Sequence, residues 1–174
     1  MIPAALKSSH IPAHYVALGL GLLSLALMLG ALGFEYIGGY PPCEICMWQR
    51  YPHVAAIVVG LGGGLAVLSG RLGAGPGRLF AELAMVLVAL SGLIGVYHAG
   101  VEWHVWAGPA ACTGQVFEYT GALDLNAHIV QCDNAAWRLF GISMAGYNAL
   151  ISLGAAGLAA LALMRPKPGA KKVS

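Results

Sequence analysis

The sequence predicts an all-α membrane protein: a four-transmembrane-helix bundle with one long outer loop between helices 3 and 4. Three observations predict it. Only 9% of the residues are charged and 59% are hydrophobic, whereas soluble domains carry about 25% charged residues. Four stretches, Ser8 to Phe34, Tyr51 to Gly70, Leu83 to Val101 and Leu139 to Met164, contain no Asp, Glu, Lys or Arg, and about 20 apolar residues suffice to cross a bilayer as a helix. Lys and Arg are also unevenly shared between the segments that join those stretches. The spans are expected at about 13–34, 46–68, 79–99 and 141–164, within one unit covering residues 1–174. The 25 glycines suit membrane helices, where small residues let backbones approach closely.

Taken in order, residues 1–12 form a short tail with two prolines. The first apolar stretch has a rival reading as a cleaved signal peptide, but signal h-regions run only about 7–15 residues, and three further spans favour a retained anchor. The first outer loop, about 35–45, is rich in Gly and Pro and ends in Pro41-Pro42. Proline is tolerated at a helix start and blocks earlier continuation, so the second helix begins near Cys43. Arg71 to Arg78, RLGAGPGR, is a tight inner turn with two basic anchors. The second outer loop covers about 100–140. Trp103, Trp106 and Pro109 open it, as suits an interfacial belt. Residues 115–130 mix Val116, Phe117, Tyr119, Leu123 and Leu125 with polar groups, a pattern equally compatible with a short helix on the membrane surface and with an irregular loop. The basic tail RPKPGAKKVS is expected to be disordered. No internal repeat is evident.

Orientation follows from the basic residues. With the N-terminus cytoplasmic, the inner segments hold Lys7, Arg71, Arg78, Arg165, Lys167, Lys171 and Lys172, and the outer ones only Arg50 and Arg138. Glu35, Glu44, Glu102, Glu118, Asp124 and Asp133 are then outside. Both termini face the cytoplasm, and every cysteine faces the opposite compartment, where disulfides persist. The expected setting is a bacterial inner membrane with the cysteines periplasmic. The partners this implies are the lipid bilayer and whatever meets the cysteines; no nucleic acid is expected.

Those four cysteines are the main chemical feature. Cys43 and Cys46 form a C-x-x-C at a helix N-terminus, where free N–H groups and the helix dipole stabilise a thiolate. Arg50, at i+4 from Cys46, adds a positive charge on the same face, and Glu44 opposes it. Cys112 and Cys132 enclose about twenty residues of the long loop. Alone, that pair reads as a staple contributing about 3 kcal/mol in the chain-entropy model. Beside a C-x-x-C it also reads as an exchangeable disulfide, because two disulfides at one surface can pass oxidation between them. A metal site is the rival: zinc takes four N/S ligands, and four sulfurs are present, but the second pair lacks the usual spacing. No metal is expected. A third reading is a tetraspan protein merely stapled by its disulfides.

Repeated oxidation of a dithiol needs an acceptor for two electrons. The chain has no dinucleotide-binding glycine fingerprint, P-loop or haem-type C-x-x-C-H. A membrane quinone, of the ubiquinone or menaquinone type, fits a C-x-x-C at the bilayer edge. Arg50 can stabilise negative charge on its oxygen, and an arginine inside a span is a functional-site candidate by default, the alternative being a snorkelling anchor. His98, with Glu102 at i+4, can orient a quinone oxygen or relay protons, or make a polar interhelical contact. His53 is equally readable as a helix–helix hydrogen bond, and His104 and His128 as loop surface.

The chain resembles the disulfide bond formation protein B (DsbB) family. The likeness rests on the four spans, on Cys43-Glu44-Ile45-Cys46-Met47-Trp48-Gln49-Arg50, on the loop pair, and on Cys132-Asp133-Asn134-Ala135-Ala136-Trp137 leading into Leu139-Phe140-Gly141-Ile142-Ser143-Met144. It implies a membrane thiol oxidoreductase that reoxidises a periplasmic thioredoxin-like (DsbA-like) disulfide donor and passes electrons to the quinone pool. Cys112 would take the mixed disulfide with the partner, Cys132 would be released, Cys43 would exchange with the loop pair, and Cys46 would pass electrons to the quinone. Arg50 matches the family's quinone-site arginine, His98 is the candidate quinone-site histidine, and Trp137 would pack nearby. A vitamin K epoxide reductase-like enzyme is the alternative within quinone chemistry, but there the loop pair precedes the C-x-x-C, the reverse of the order here.

Overall fold

A computed structural model describes residues 11–110, 112 and 131–164. The candidate surface helix at 115–130, His128, both tails and the basic residues in them lie outside the described residues. Four helices are long and apolar enough to cross a membrane: α1 (Ala13–Tyr36), α2 (Glu44–Leu68), α3 (Gly77–Glu102) and α4 (Met144–Met164). A two-residue hairpin, β1 (Arg138–Leu139) with β2 (Ile142–Ser143), leads into α4, with Arg138 opposite Ser143. The up-down-up-down order brings the end of α1, the start of α2, the end of α3 and the start of α4 together. All four cysteines lie at that end.

The expected spans hold, and their edges move for identifiable reasons. The first loop closes through Ile37 N–H and Gly38 N–H, both donating to the Gly33 carbonyl at 2.9 and 3.0 Å, and through Gly39 at φ +71°. Pro41-Pro42 then feed an extended Cys43 (φ −80°, ψ 174°) that caps α2, so the helix starts at Glu44 rather than at 46. α3 continues three residues past 99, because Glu102 is buried and so stays in the bundle. α4 starts at Met144 rather than 141. Phe140 and Gly141 both take positive φ, 50° and 80°, which closes a tight hairpin turn where the apolar run alone suggested helix.

Small residues line the inside of the bundle. Ala17, Ala56, Ala81, Ala84, Val88, Ala149, Ala156 and Ala159 are buried, whereas Leu22, Leu29, Val86, Leu93, Leu158 and Leu161 are exposed on the outside. That is the arrangement expected where lipid, not water, covers the outer face, since lipid solvates leucine and only close backbone packing brings helices together. Val58–Gly63 of α2 winds as a π-helix, nearly two turns after Pro52, which lacks a backbone donor. It presses Gly60 onto α1, where an added Cβ would stand 2.6 Å from the Ala17 carbonyl oxygen, whereas a Cβ on Gly62 meets nothing within 4 Å.

Gly60→Ala is therefore expected to lower the thermal unfolding midpoint in detergent, as overpacking costs about 1–3 kcal/mol. Gly62→Ala should leave it unchanged or raise it, by up to about 1 kcal/mol from helix propensity. Equal effects would show that Gly60 does not set the α1–α2 distance.

Candidate functional site

The four cysteines meet at the loop end of the bundle. Cys43 Sγ accepts the Cys46 N–H at 3.2 Å, as a side-chain cap of α2, and its sulfur lies 2.7 Å from Cys46 Sγ. Both are free thiols. Cys112 and Cys132 are joined as a disulfide, held by the Cys112 N–H donating to the Pro109 carbonyl and the Cys132 N–H donating to the Cys112 carbonyl, each at 2.9 Å. The sulfurs of Cys43, Cys112 and Cys132 all lie within 4.8 Å of one another. These three cysteines share one buried apolar cluster with Ile45 and Val101, against which Cys46 and Ile94 pack. Cys43 is thus next to both its helical partner and the loop disulfide.

The charge environment differs from the expected one. The helix N-terminus alone would lower a thiol pKa. The Cys43 thiol is instead pushed up, first by its hydrogen bond with Cys46 and second by burial. Glu44 is exposed and turned away. The carboxylate that matters for Arg50 is Glu35, at the end of α1, which accepts from Arg50 Nη1. The guanidinium also lies beside Met47 Sδ, at 3.8 Å. Sequence reading missed Glu35 because its pairing joins two helices.

A cavity of about 370 Å³ lies against this site. Its walls come mainly from α1 (Leu27, Gly30, Phe34) and α4 (Tyr147, Ile151), with α2 behind them, and Cys46, Arg50, His53, His98 and Asn148 reach its lining. Trp137, expected to pack nearby, stacks at an angle on Phe34 (ring centroids 4.9 Å apart) and on Tyr147 (6.2 Å), closing one side. The volume and the mostly apolar wall with a few polar groups fit a small, mainly apolar ligand.

Beneath the sulfurs runs a buried polar network. His98 Nε2 lies 3.5 Å from Cys43 Sγ and 3.8 Å from Glu102 Oε1, and His98 Nδ1 lies 2.8 Å from Gln49 Nε2. Asn148 Nδ2 donates to Gln49 Oε1 at 2.8 Å and to the Ser91 carbonyl at 3.2 Å. His53 bridges Ser24 Oγ (3.1 Å) and Asn148 Oδ1 (2.9 Å), so the helix–helix reading of His53 describes its bonds, although its ring also borders the cavity. His104 is an exposed loop residue at φ +57°. Gln49, Asn148, Ser91 and Ser152 went unremarked in the sequence. The available signal was their polarity inside otherwise apolar spans, where an unpaired polar group is costly.

The sequence profile of the family described as "Disulfide bond formation protein DsbB" matches residues 13–162. An uncharacterised protein of Rickettsia prowazekii is 24% identical over 88% of this chain and 91% of its own length. A protein of Chromohalobacter salexigens named disulfide bond formation protein B is 41% identical over 50% of this chain and 46% of its own length. One of the same name from an Azoarcus strain is 28% identical over 80% and 84%. Against the named relatives of higher identity, the match spans only about half of their length. No solved structure matches the chain significantly.

Proposed function

The chain belongs to the DsbB family of membrane disulfide bond formation proteins, and from that premise we propose that it is a protein-dithiol:quinone oxidoreductase. It would reoxidise a periplasmic thioredoxin-like (DsbA-like) donor and pass the electrons to a ubiquinone- or menaquinone-type acceptor. The observation that carries this reading is the position of Cys43, with Cys46 Sγ at 2.7 Å and the loop disulfide sulfurs within 4.8 Å. That spacing allows exchange without a large rearrangement of either pair.

The electron path is a series of thiol–disulfide exchanges. A partner thiolate attacks the loop disulfide, bonds to Cys112 and releases Cys132 as the thiolate. Cys132 attacks the Cys43–Cys46 disulfide at Cys43, and Cys46 leaves with the electron pair. The second partner thiolate then frees Cys112, and the partner departs oxidised. Cys112 attacks Cys132, the loop disulfide closes again, and Cys43 leaves as the thiolate. The result is a closed loop pair and a reduced Cys43/Cys46 pair, which is the arrangement drawn in the structure. A bound quinone supplies the acceptor for two electrons and two protons. Cys46 and Arg50 both face the cavity, so the sulfur that gives up electrons and the cation that offsets the arriving charge share one wall. His98 borders the same space.

The sidedness in this proposal is that of a multi-pass inner-membrane protein with both termini cytoplasmic and the cysteines periplasmic. The test is purified protein with a defined quinone and a reduced thioredoxin-like partner, followed by quinone absorbance. Steady loss of the quinone band with matching oxidation of the partner supports the reading; no loss refutes it. Cys43, Cys46 and His98 also have ligand atoms close enough to share a metal ion. Stoichiometric zinc, with thiols exposed only after chelation, would favour that rival.

Arg50→Ala is expected to reduce kcat/KM for quinone by on the order of 100-fold, the size of effect seen when one preorganised charge-stabilising donor is removed. Arg50→Lys should recover part of it, since the charge remains and the planar fork is lost. Unchanged kinetics in Arg50→Ala would make Arg50 an interfacial anchor.

A further inference from the structure

We propose that Asn148 and Gln49 are positioning residues that lock His98 in the tautomer with its proton on Nε2, aiming an N–H donor at Cys43 Sγ.

Backbone carbonyls can only accept hydrogen bonds. Asn148 Nδ2 lies 3.2 Å from the Ser91 carbonyl oxygen, which fixes the Asn148 amide with its NH2 on that side. Ser91 Oγ donates to the Gln49 carbonyl at 2.9 Å, so toward Asn148 Nδ2, 3.1 Å away, it serves as acceptor. On the other side Asn148 Oδ1 accepts from Ser152 Oγ at 2.9 Å. The Ser91 carbonyl therefore fixes the orientation, and the Ser152 hydroxyl, which can donate or accept, is compatible with it. The same NH2 donates to Gln49 at 2.8 Å, so the Gln49 atom there is its oxygen and the Gln49 NH2 faces the opposite way. A second carbonyl agrees independently: Gln49 Nε2 donates to the Ile45 carbonyl at 3.4 Å.

The Gln49 NH2 then meets His98 Nδ1 at 2.8 Å. A donor facing a ring nitrogen at that distance requires the nitrogen to be bare. In a neutral imidazole the proton must then sit on Nε2. The groups near the ring are consistent with this. Nε2 faces Cys43 Sγ at 3.5 Å and Glu102 Oε1 at 3.8 Å, and the Cys132 backbone offers the ring a further hydrogen bond. Three of the four helices take part: α4 provides Asn148, α2 provides Gln49, and α3 provides Ser91 and His98.

The consequence falls on one sulfur. When the loop disulfide closes, Cys112–Cys132 forms, the bond between Cys43 and Cys132 breaks, and the electron pair stays on Cys43. No net redox change accompanies this step. Negative charge gathers on Cys43 Sγ inside an apolar cluster, and hydrogen bonds to charged groups are the stronger class. A bare Nε2 would instead turn a lone pair toward that charge.

The proposal rests on reading Cys43 as an exchanging sulfur, but the tautomer is measured with neither quinone nor partner protein, so the two can fail separately. The first measurement is 15N NMR of histidine-labelled protein in detergent, with His98 assigned by its loss in His98→Gln. A proton-bearing Nε2 and a bare Nδ1 are expected. A proton on Nδ1 overturns the proposal. The second uses Gln49→Met, which keeps the bulk and removes the donor; a mixture of both tautomers is expected, and an unchanged ring refutes the lock.

The third measurement adds Cys46→Ser, so that Cys43 partitions between a free thiol beside the loop disulfide and a mixed disulfide with a loop cysteine. Acid quenching, alkylation and peptide mapping read the ratio at a pH where the free form is ionised. Gln49→Met should lower the ratio of free to bonded Cys43 by the factor by which the Nε2-protonated population falls, about twofold for an even mixture. A shifted tautomer with an unchanged ratio would show that the donor does not act on Cys43. Should Gln49→Met fail to fold, Asn148→Leu gives the same two readouts by freeing the Gln49 amide to turn, and the wild-type tautomer tests the lock without any variant.

Discussion

Cys46→Ser is expected to abolish quinone reduction by any supplied dithiol. Serine nearly matches cysteine in shape and cannot form a disulfide, so the substitution removes one bond-forming atom and little else. Cys46 is only partly buried, whereas Cys43 is the residue whose sulfur accepts the Cys46 N–H and so caps α2. The helix start should therefore survive. Without Cys46, Cys43 has no neighbour on α2 with which to close a disulfide, and the pair cannot give up two electrons. What remains is exchange between Cys43 and the loop pair. A stoichiometric trapped species is expected in place of turnover, with no continuing loss of quinone absorbance. Normal turnover in this variant would refute the electron path; loss of both turnover and fold would appear as a shifted unfolding midpoint, which separates the two outcomes. Cys43→Ser makes a useful comparison, because it should lose the α2 cap as well as the redox function.

The parts of this molecule that could be read in the sequence are those that depend on one segment at a time. The four spans show as charge-free runs, and the start of α2 shows because two prolines precede Cys43. The hairpin before α4 was missed because Leu139 to Gly141 reads as apolar, and only the positive φ of Phe140 and Gly141 reveals a turn. At the site, the C-x-x-C and Arg50 stand out by residue type. Their partners do not. Glu35 is fifteen residues from Arg50, and Asn148 is ninety-nine from Gln49. Such pairings are set by how helices dock, and single-segment patterns carry no information about that. The upward shift of the Cys43 thiol comes first from its hydrogen bond with nearby Cys46 and second from burial in a cluster that includes the loop disulfide, and only the second depends on a distant stretch of chain.

Cys112→Ser should separate the two ends of the electron path. Both loop sulfurs are buried, Cys112 at 2% exposure and Cys132 at 1%. A protein partner can reach them only if their packing against Ile45 and Val101 loosens, whereas a small dithiol can approach the C-x-x-C through the cavity that Cys43 and Cys46 line. The expected result is that reduction of quinone by a reduced thioredoxin-like partner falls to background, while reduction by a small dithiol persists. Loss of the loop disulfide also removes a constraint worth about 3 kcal/mol in the chain-entropy model, so a general loosening must be distinguished from loss of the docking sulfur. Cys132→Ser serves that purpose. It removes the same constraint but leaves Cys112 as a free thiol; given the oxidised partner, Cys112 attacks the partner's disulfide and releases the partner's second sulfur as a thiolate, so a mixed disulfide should accumulate on a non-reducing gel. If neither variant traps the partner and both lose small-dithiol activity equally, the loop pair is a staple and the partner delivers electrons directly to Cys43. If only Cys132→Ser traps it, the order partner, Cys112, Cys132, Cys43, Cys46 follows, because each sulfur in that series then has one neighbour from which it receives electrons and one to which it passes them.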